Sequence, residues 1–448
     1  MSDNLDGRPA GEGDDENSLA EFLRRLGFSG GEMPEPGDLA ANLNSLLGQF
    51  NSRANQGVNW QRTKDETRKR VAALGKDPSP DSADARKVGD AMRLAMLWLE
   101  PQVTLPDATL TSAAWSRADW VERTMGGWQT IAEPIAGKLA DAMTSMIASE
   151  TQEGDGEYVP EGLAQLRSTL LPLIRASAMQ MYSAQLSVGI AEVAAGVLSA
   201  SDAVLPLGVS GTAALLPANI AAFGDGLDDI LPGDLLIYLA LRETARAWLF
   251  ESVSWLPSQL VAMVTHWASL IVIDPDVLAN TIDPREMATM TPESLSAASE
   301  KLFGRMFSPA HTPEQAEILD RLETLLALVE GWVDAVVGAA ASPMPNASAL
   351  NELLRRRSAA GGPGEKALLK LLGLNLHAAK ARNASRLWTL IAERSSLIER
   401  DSLWRHPDAL PTATDLADPD NYGASVPQSS TPDDLDEQLR KLLEGGAS

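Results

Sequence analysis

From Val58 to about Ala417 apolar residues recur at steps of three and four, which predicts one mainly α-helical unit over 58–417. Polar or Pro/Gly breaks interrupt it near 76–82, 100–108, 153–162, 203–233 and 342–346. No run keeps the period-two alternation of a sheet protein, so at most a small β element is expected, near 203–233. Two segments depart from the usual amphipathic stripe. Leu171 to Ala200 is rich in Ala, Ser and Gly, small residues that let helices approach closely, and reads as a central buried helix. Leu235 to Phe250 is apolar nearly all round except for Arg242, Glu243 and Arg246. A helix apolar on every face is buried, and ionic groups on it must find partners.

The ends have a different pattern. Residues 1–57 form an acidic, flexible region, its first 17 residues too poor in apolar surface to offset ordering entropy. Within it, Ser18 as N-cap followed by Leu19, Phe22, Leu23 and Leu26 predicts a short amphipathic helix, and Leu39, Leu43, Leu46, Leu47 and Phe50 predict another. The polar tail, 418–448, closes with Thr431-Pro432-Asp433-Asp434 ahead of Leu435, Leu439, Leu442 and Leu443, a well-signalled helix start.

Composition then removes whole classes of function. Among 448 residues there is no cysteine, which excludes disulfides, thiolate catalysis and every cysteine-ligated metal site. A formal charge of −24 repels phosphate backbones and anionic lipid, so neither nucleic acid nor membrane is an expected partner. The uncharged run from Ala203 to Gly224 has the length to span a bilayer, but Pro206, Gly208, Gly211 and Pro217 break it, and a buried loop or hairpin is expected there. The N-terminus has neither a basic nor an apolar leader region, which points to the cytoplasm.

Candidate chemistry is sparse. No Gly-x-Ser-x-Gly turn is present, and the four histidines, His266, His311, His377 and His406, form no i,i+3 or i,i+4 pair. They are expected to be capping or surface residues. Arg355-Arg356-Arg357 ahead of Gly361-Gly362-Pro363-Gly364 lacks the spacing of a nucleotide loop and is expected to be a solvated helix end followed by a loop. Trp115, Trp120 and Trp128 are expected to be core anchors.

The run LPLGVSGTAALLPANIAAFGDGL, followed by LLIYLALRETARAWLFESVSWLPSQL, resembles the core of a bacterial family of zincin-like, zinc-dependent metallopeptidases or hydrolases. VNW at 58–60, RLAMLWLE at 93–100, LVEGWVDAVV at 328–337 and LWRHPDALPTATDL at 403–416 extend the resemblance over most of 58–417. It implies a zincin-like helical domain. Relatives with an intact site have His-Glu-x-x-His, two imidazoles one turn apart on a zinc ion with the Glu activating water, where this chain has Arg242-Glu243-Thr244-Ala245-Arg246. Guanidinium has donors only and cannot ligate a cation. Glu243 holds the general-base position, and the resemblance places the third ligand at Glu330, with Asp334 as its alternate.

Two readings of the arginines follow. In one, Arg242, Glu243 and Arg246 form an exposed turn with an i,i+3 pair; in the other, Arg246, with or without Arg242, pairs with Glu330 so that guanidinium replaces the cation. The second implies a metal-free pseudopeptidase with no cofactor, binding a protein or peptide partner through its cleft or terminal helices. The alternative is an active zinc peptidase using Glu330, Asp334 and a histidine from elsewhere. A hydrolase without metal would need a nucleophile that the sequence does not identify. Oligomeric state does not follow from the sequence.

Overall fold

The computed structural model describes residues 57–150, 161–203, 205–270, 312–363, 366 and 379–423. The helices expected near 19–26, 39–50 and 431–443 lie outside the described residues, as do His311 and His377.

Helix starts follow local chemistry. Helix α1 (Trp60–Ala73) is capped by Asn59, whose side chain accepts the Arg62 N–H at 2.9 Å, and α2 (Ser82–Leu99) by a capping box of Asp81 and Asp84. After a short extended segment, β1 (Thr111–Ala114) leads into α3 (Arg117–Glu150). Helix α4 (Glu161–Gly196) lies along α3 and α1. Its buried residues Ala178, Tyr182, Leu186, Ile190 and Ala194 come at every fourth position, joined by Ala191 and Val193, and share one hydrophobic core with Trp120, Trp128, Ile131 and Ile135 of α3. Trp115, Trp120 and Trp128 are all buried there, as expected of anchors.

Between Ala203 and Gly224 the chain forms β2 (Thr212–Leu215) and then α5 (Pro217–Gly224). Of the buried loop or hairpin expected there, the chain forms a loop over 205–211 and no hairpin, continuing into the strand and the short helix. Strand β2 pairs in parallel with β1, Thr111 opposite Thr212 and Ala114 opposite Leu215, while Ser199 bridges Leu215 from the other side in antiparallel sense. The sheet is small, as expected, but half of it comes from 111–114, a region with no alternating pattern because only four residues pair. Among the described residues, no helix is long and apolar enough to cross a membrane.

Helix α6 (Pro232–Ser252) occupies the centre, packed on α2, on β2 and on α8 (Pro313–Ala340). It buries residues on every side, including Tyr238, Leu241, Glu243, Arg246 and Trp248, as its apolar circumference requires. Helix α7 (Trp255–Ser269) follows and packs on α3. Helix α8 starts at a Thr312/Gln315 capping box with Pro313 in the first turn. Then come α9 (Ala347–Ala359) and α10 (Ala379–Arg394), the latter laid closely against α8. Gly331 permits that approach: a Cβ there would stand 2.5 Å from the Ala384 Cβ and 2.6 Å from backbone of α10.

Candidate functional site

Residues four apart on a helix share a face, so Tyr238, Arg242 and Arg246 form a column on the side of α6 that meets α8, where Glu330 and Asp334 are likewise one turn apart. The two columns interlock. Arg246 donates from Nε to Glu330 Oε1 at 2.9 Å and from Nη2 to Oε2 at 3.0 Å, a bidentate pair. Arg242 donates to the same Glu330 Oε2 at 3.0 Å and, through Nη1, to Asp334. A third guanidinium, Arg355 of α9, donates from Nε to Asp334 Oδ2 at 3.0 Å and from Nη2 to Ser385 Oγ at 3.1 Å.

Glu243 points to a different face of α6, toward the sheet. It is fully buried and accepts from Ser201 Oγ at 2.5 Å and from the Ser201 and Ala214 N–H groups at 3.3 Å. Burial raises its carboxyl above the ordinary range, and the opposing pull of Arg246 and these hydrogen bonds does not undo that. The i,i+3 partner is distant, with Arg246 Nη1 at 3.9 Å from Glu243 Oε2, and the same Nη1 donates to Ser201 Oγ at 3.2 Å. The exposed-turn reading of Arg242, Glu243 and Arg246 therefore fails, since packing on α2, α8 and β2 buries Glu243 and Arg246 and leaves Arg242 only 13% of its side-chain surface, on the cavity side. Burial would push the Asp334 carboxyl up as well, but Arg242 and Arg355 outweigh it and hold it below the usual carboxylate range. For Arg242 burial disfavours the charge, yet Asp334 and Glu330 keep it more firmly protonated than usual.

A cavity of about 550 Å³ opens beside this cluster. Arg242, Arg246, Glu330, Asp334 and Arg355 line one side, with Leu239, Leu326 and Leu354 beside them; Asp202, Leu198 and Arg357 line another. Arg357 donates to Asp202 Oδ2 at 2.9 Å and to the Gly196 carbonyl at 2.8 Å, and lies over the Phe223 ring at 5.6 Å. The expected solvated helix end at 355–357 is thus corrected: Arg356 faces water, paired with Glu352 at 2.7 Å, while its two neighbours are drawn inward by Asp334 and Asp202. Charge alone does not distinguish these three arginines. Ser199, Ser201, Asp202 and Tyr238 were likewise not singled out from the sequence, where nothing marks a serine or aspartate on a turn as facing a helix forty residues on.

His266 is exposed on α7, its Nε2 3.7 Å from Glu314 Oε1, and His406 caps a short turn by accepting the Asp408 N–H at 3.2 Å. Neither lines the cavity. The donor set does not fit a zinc ion. The two positions one turn apart carry cations, the carboxylates of Glu330 and Asp334 are engaged by guanidinium, and among the described residues no group of three His, Asp or Glu could hold a metal.

A family model described as Zincin-like metallopeptidase matches residues 58–422. Among curated proteins none matches the chain. Among solved structures, a "putative hydrolase with a novel fold" from Chloroflexus aurantiacus is similar, with a TM-score of 0.54 and 15% identity over 81% of this chain and 96% of that one. At that identity the likeness extends to the fold.

Proposed function

We propose that this chain, which belongs to the zincin-like metallopeptidase family, is a metal-free member that binds a protein or peptide partner in its cleft and does not hydrolyse it. One observation carries the reading. At the two positions to which the resemblance assigns imidazoles, Arg242 and Arg246 stand as cations and are hydrogen bonded to Glu330, the residue the resemblance suggests as third ligand, with Asp334 as its alternate. A guanidinium delivers positive charge to that carboxylate without a metal, and it offers no vacant coordination position for water. Glu243 keeps the general-base position but is engaged by Ser201 and Ala214, buried away from the cavity. Its buried carboxyl serves to tie α6 to the sheet.

Elemental analysis tests this directly. The full chain, equilibrated with a slight excess of zinc and desalted, should retain none and should leave peptide substrates intact. Near-stoichiometric zinc that disappears in Glu330→Ala would establish the metallopeptidase instead. The double substitution Arg242→His with Arg246→His should gain zinc, because it returns two imidazoles one turn apart beside the Glu330 carboxylate.

A further inference from the structure

The acidic groups lining the cavity are engaged. Glu330 and Asp334 are held by three arginines, Asp202 by Arg357, and Glu323 by Lys380 at 3.3 Å. The cationic side is not used up. Arg382 lines the same cavity from α10, is exposed, and makes no hydrogen bond or ion pair among the described residues. Arg355 directs Nε and Nη2 at Asp334 and Ser385, which leaves its Nη1 without a hydrogen bond among the described residues. Arg355 and Arg382 both line the cavity, Arg355 from α9 and Arg382 from α10. Beside them the lining is aliphatic, with Leu326, Ala327 and Leu354. The cavity thus offers spare N–H donors next to an apolar surface, with its carboxylates paired. A volume of about 550 Å³ falls in the range of small-ligand sites.

We propose that the cavity is a carboxylate-recognition site that takes the C-terminal residue of a peptide, its carboxylate on Arg382 and the unused edge of Arg355, its side chain on Leu326, Ala327 and Leu354. Guanidinium matches a carboxylate with parallel N–H donors, and an oxyanion is the group that a wall of donors selects. In a chain of charge −24 the lining is a local exception, with five arginines against the four carboxylates of Asp202, Glu323, Glu330 and Asp334. The proposal rests on reading the cleft as a peptide-binding site.

Calorimetric titration of the full chain tests it, with three probes: N-acetyl-alanyl-leucine as the free acid, the same dipeptide as its C-terminal amide, and inorganic phosphate. The acid should bind, and the amide should bind at least roughly tenfold more weakly, the loss expected when a charge-assisted hydrogen bond is removed. Arg382→Glu should weaken the acid by a similar factor while Arg382→Lys retains part of the binding; since Arg382 is exposed, both variants should fold. Equal affinity for acid and amide, or an acid affinity unchanged in Arg382→Glu, overturns the proposal. Binding of phosphate without the dipeptide acid overturns it in favour of a phosphorylated ligand. The metal-free reading fails separately, through zinc retention, so failure of one is distinguishable from failure of the other.

Discussion

Helix α8 serves two buried ion clusters on opposite faces, and they differ in a way that separates architecture from chemistry. Trp332 points to the first, where Arg400 and Asp401 are each 2% exposed. Asp401 accepts from Trp332 Nε1 at 2.8 Å, Arg400 Nε at 2.7 Å, Thr104 N at 2.7 Å and Thr104 Oγ1 at 2.9 Å, and Arg400 donates onward to the Gln102 carbonyl at 2.6 Å. One cation meets one anion, and the Arg400 guanidinium lies over the Trp332 ring at 5.8 Å. Glu330 and Asp334 point to the second cluster, where three guanidiniums meet two carboxylates beside a cavity and Glu330 keeps 25% of its side-chain surface. The balanced, closed cluster holds segments 297 residues apart in the chain, Thr104 and Asp401. The unbalanced, open one retains unspent donors where a ligand can reach them.

Removing one partner from each cluster sharpens this difference. Asp401→Ala should be the most damaging change, about 4 kcal/mol by chemical denaturation, because it strands a guanidinium and an indole N–H that are both buried from solvent. Arg246→Ala should cost less, about 3 kcal/mol, since water entering from the cavity can solvate part of the exposed Glu330 carboxylate. A larger loss for Arg246→Ala than for Asp401→Ala would break the distinction. Gly331→Ala should follow at roughly 2 kcal/mol, from the clash of its Cβ with Ala384 and the α10 backbone. It should also displace Ser385, and with it Arg355, so the acid dipeptide should bind more weakly; a destabilised protein with unchanged binding would show that α10 does not position the cavity wall.

The smallest expected effect is a pH dependence, from Asp334 in the open cluster and from Glu243 on the sheet-facing side of α6. Asp334 has its carboxyl lowered from 3.8, so its contribution is present at neutral pH and lost as pH falls through the lowered value. Glu243 has its carboxyl raised from 4.5, so its contribution is complete below 4.5 and declines as pH rises through the raised value. As pH rises above 4.5 and through the raised value the parent should therefore lose stability relative to Glu243→Gln, which has no such proton to release. Parallel denaturation curves for the two across that window would mean that Glu243 is ionised in place.

What could be read in advance followed from local rules. A 3.6-residue period requires helices, an all-round apolar helix requires burial, and burial obliges Arg242 and Arg246 to find an anion, which the resemblance located at Glu330. The sheet partner at 111–114, the Ser201 and Ala214 contacts of Glu243, and the inward turn of Arg355 and Arg357 had no such signal. Thr111 is about a hundred residues from Thr212, and an arginine near a helix end has the same local sequence whether water or a carboxylate receives it.

The sequence by itself determined that this protein is helical, that it has no cysteine for thiol chemistry, and that arginines stand at 242 and 246, the positions to which the resemblance assigns imidazoles. Periodicity, composition and the donor chemistry of guanidinium are properties of the residues and need no coordinates. Only the tertiary structure decided which carboxylates those cations meet, which arginines keep donors free, and that a cavity borders them. Those outcomes depend on α6, α8, α9 and α10 converging, and convergence is set by packing between segments far apart in the chain, such as the close approach at Gly331.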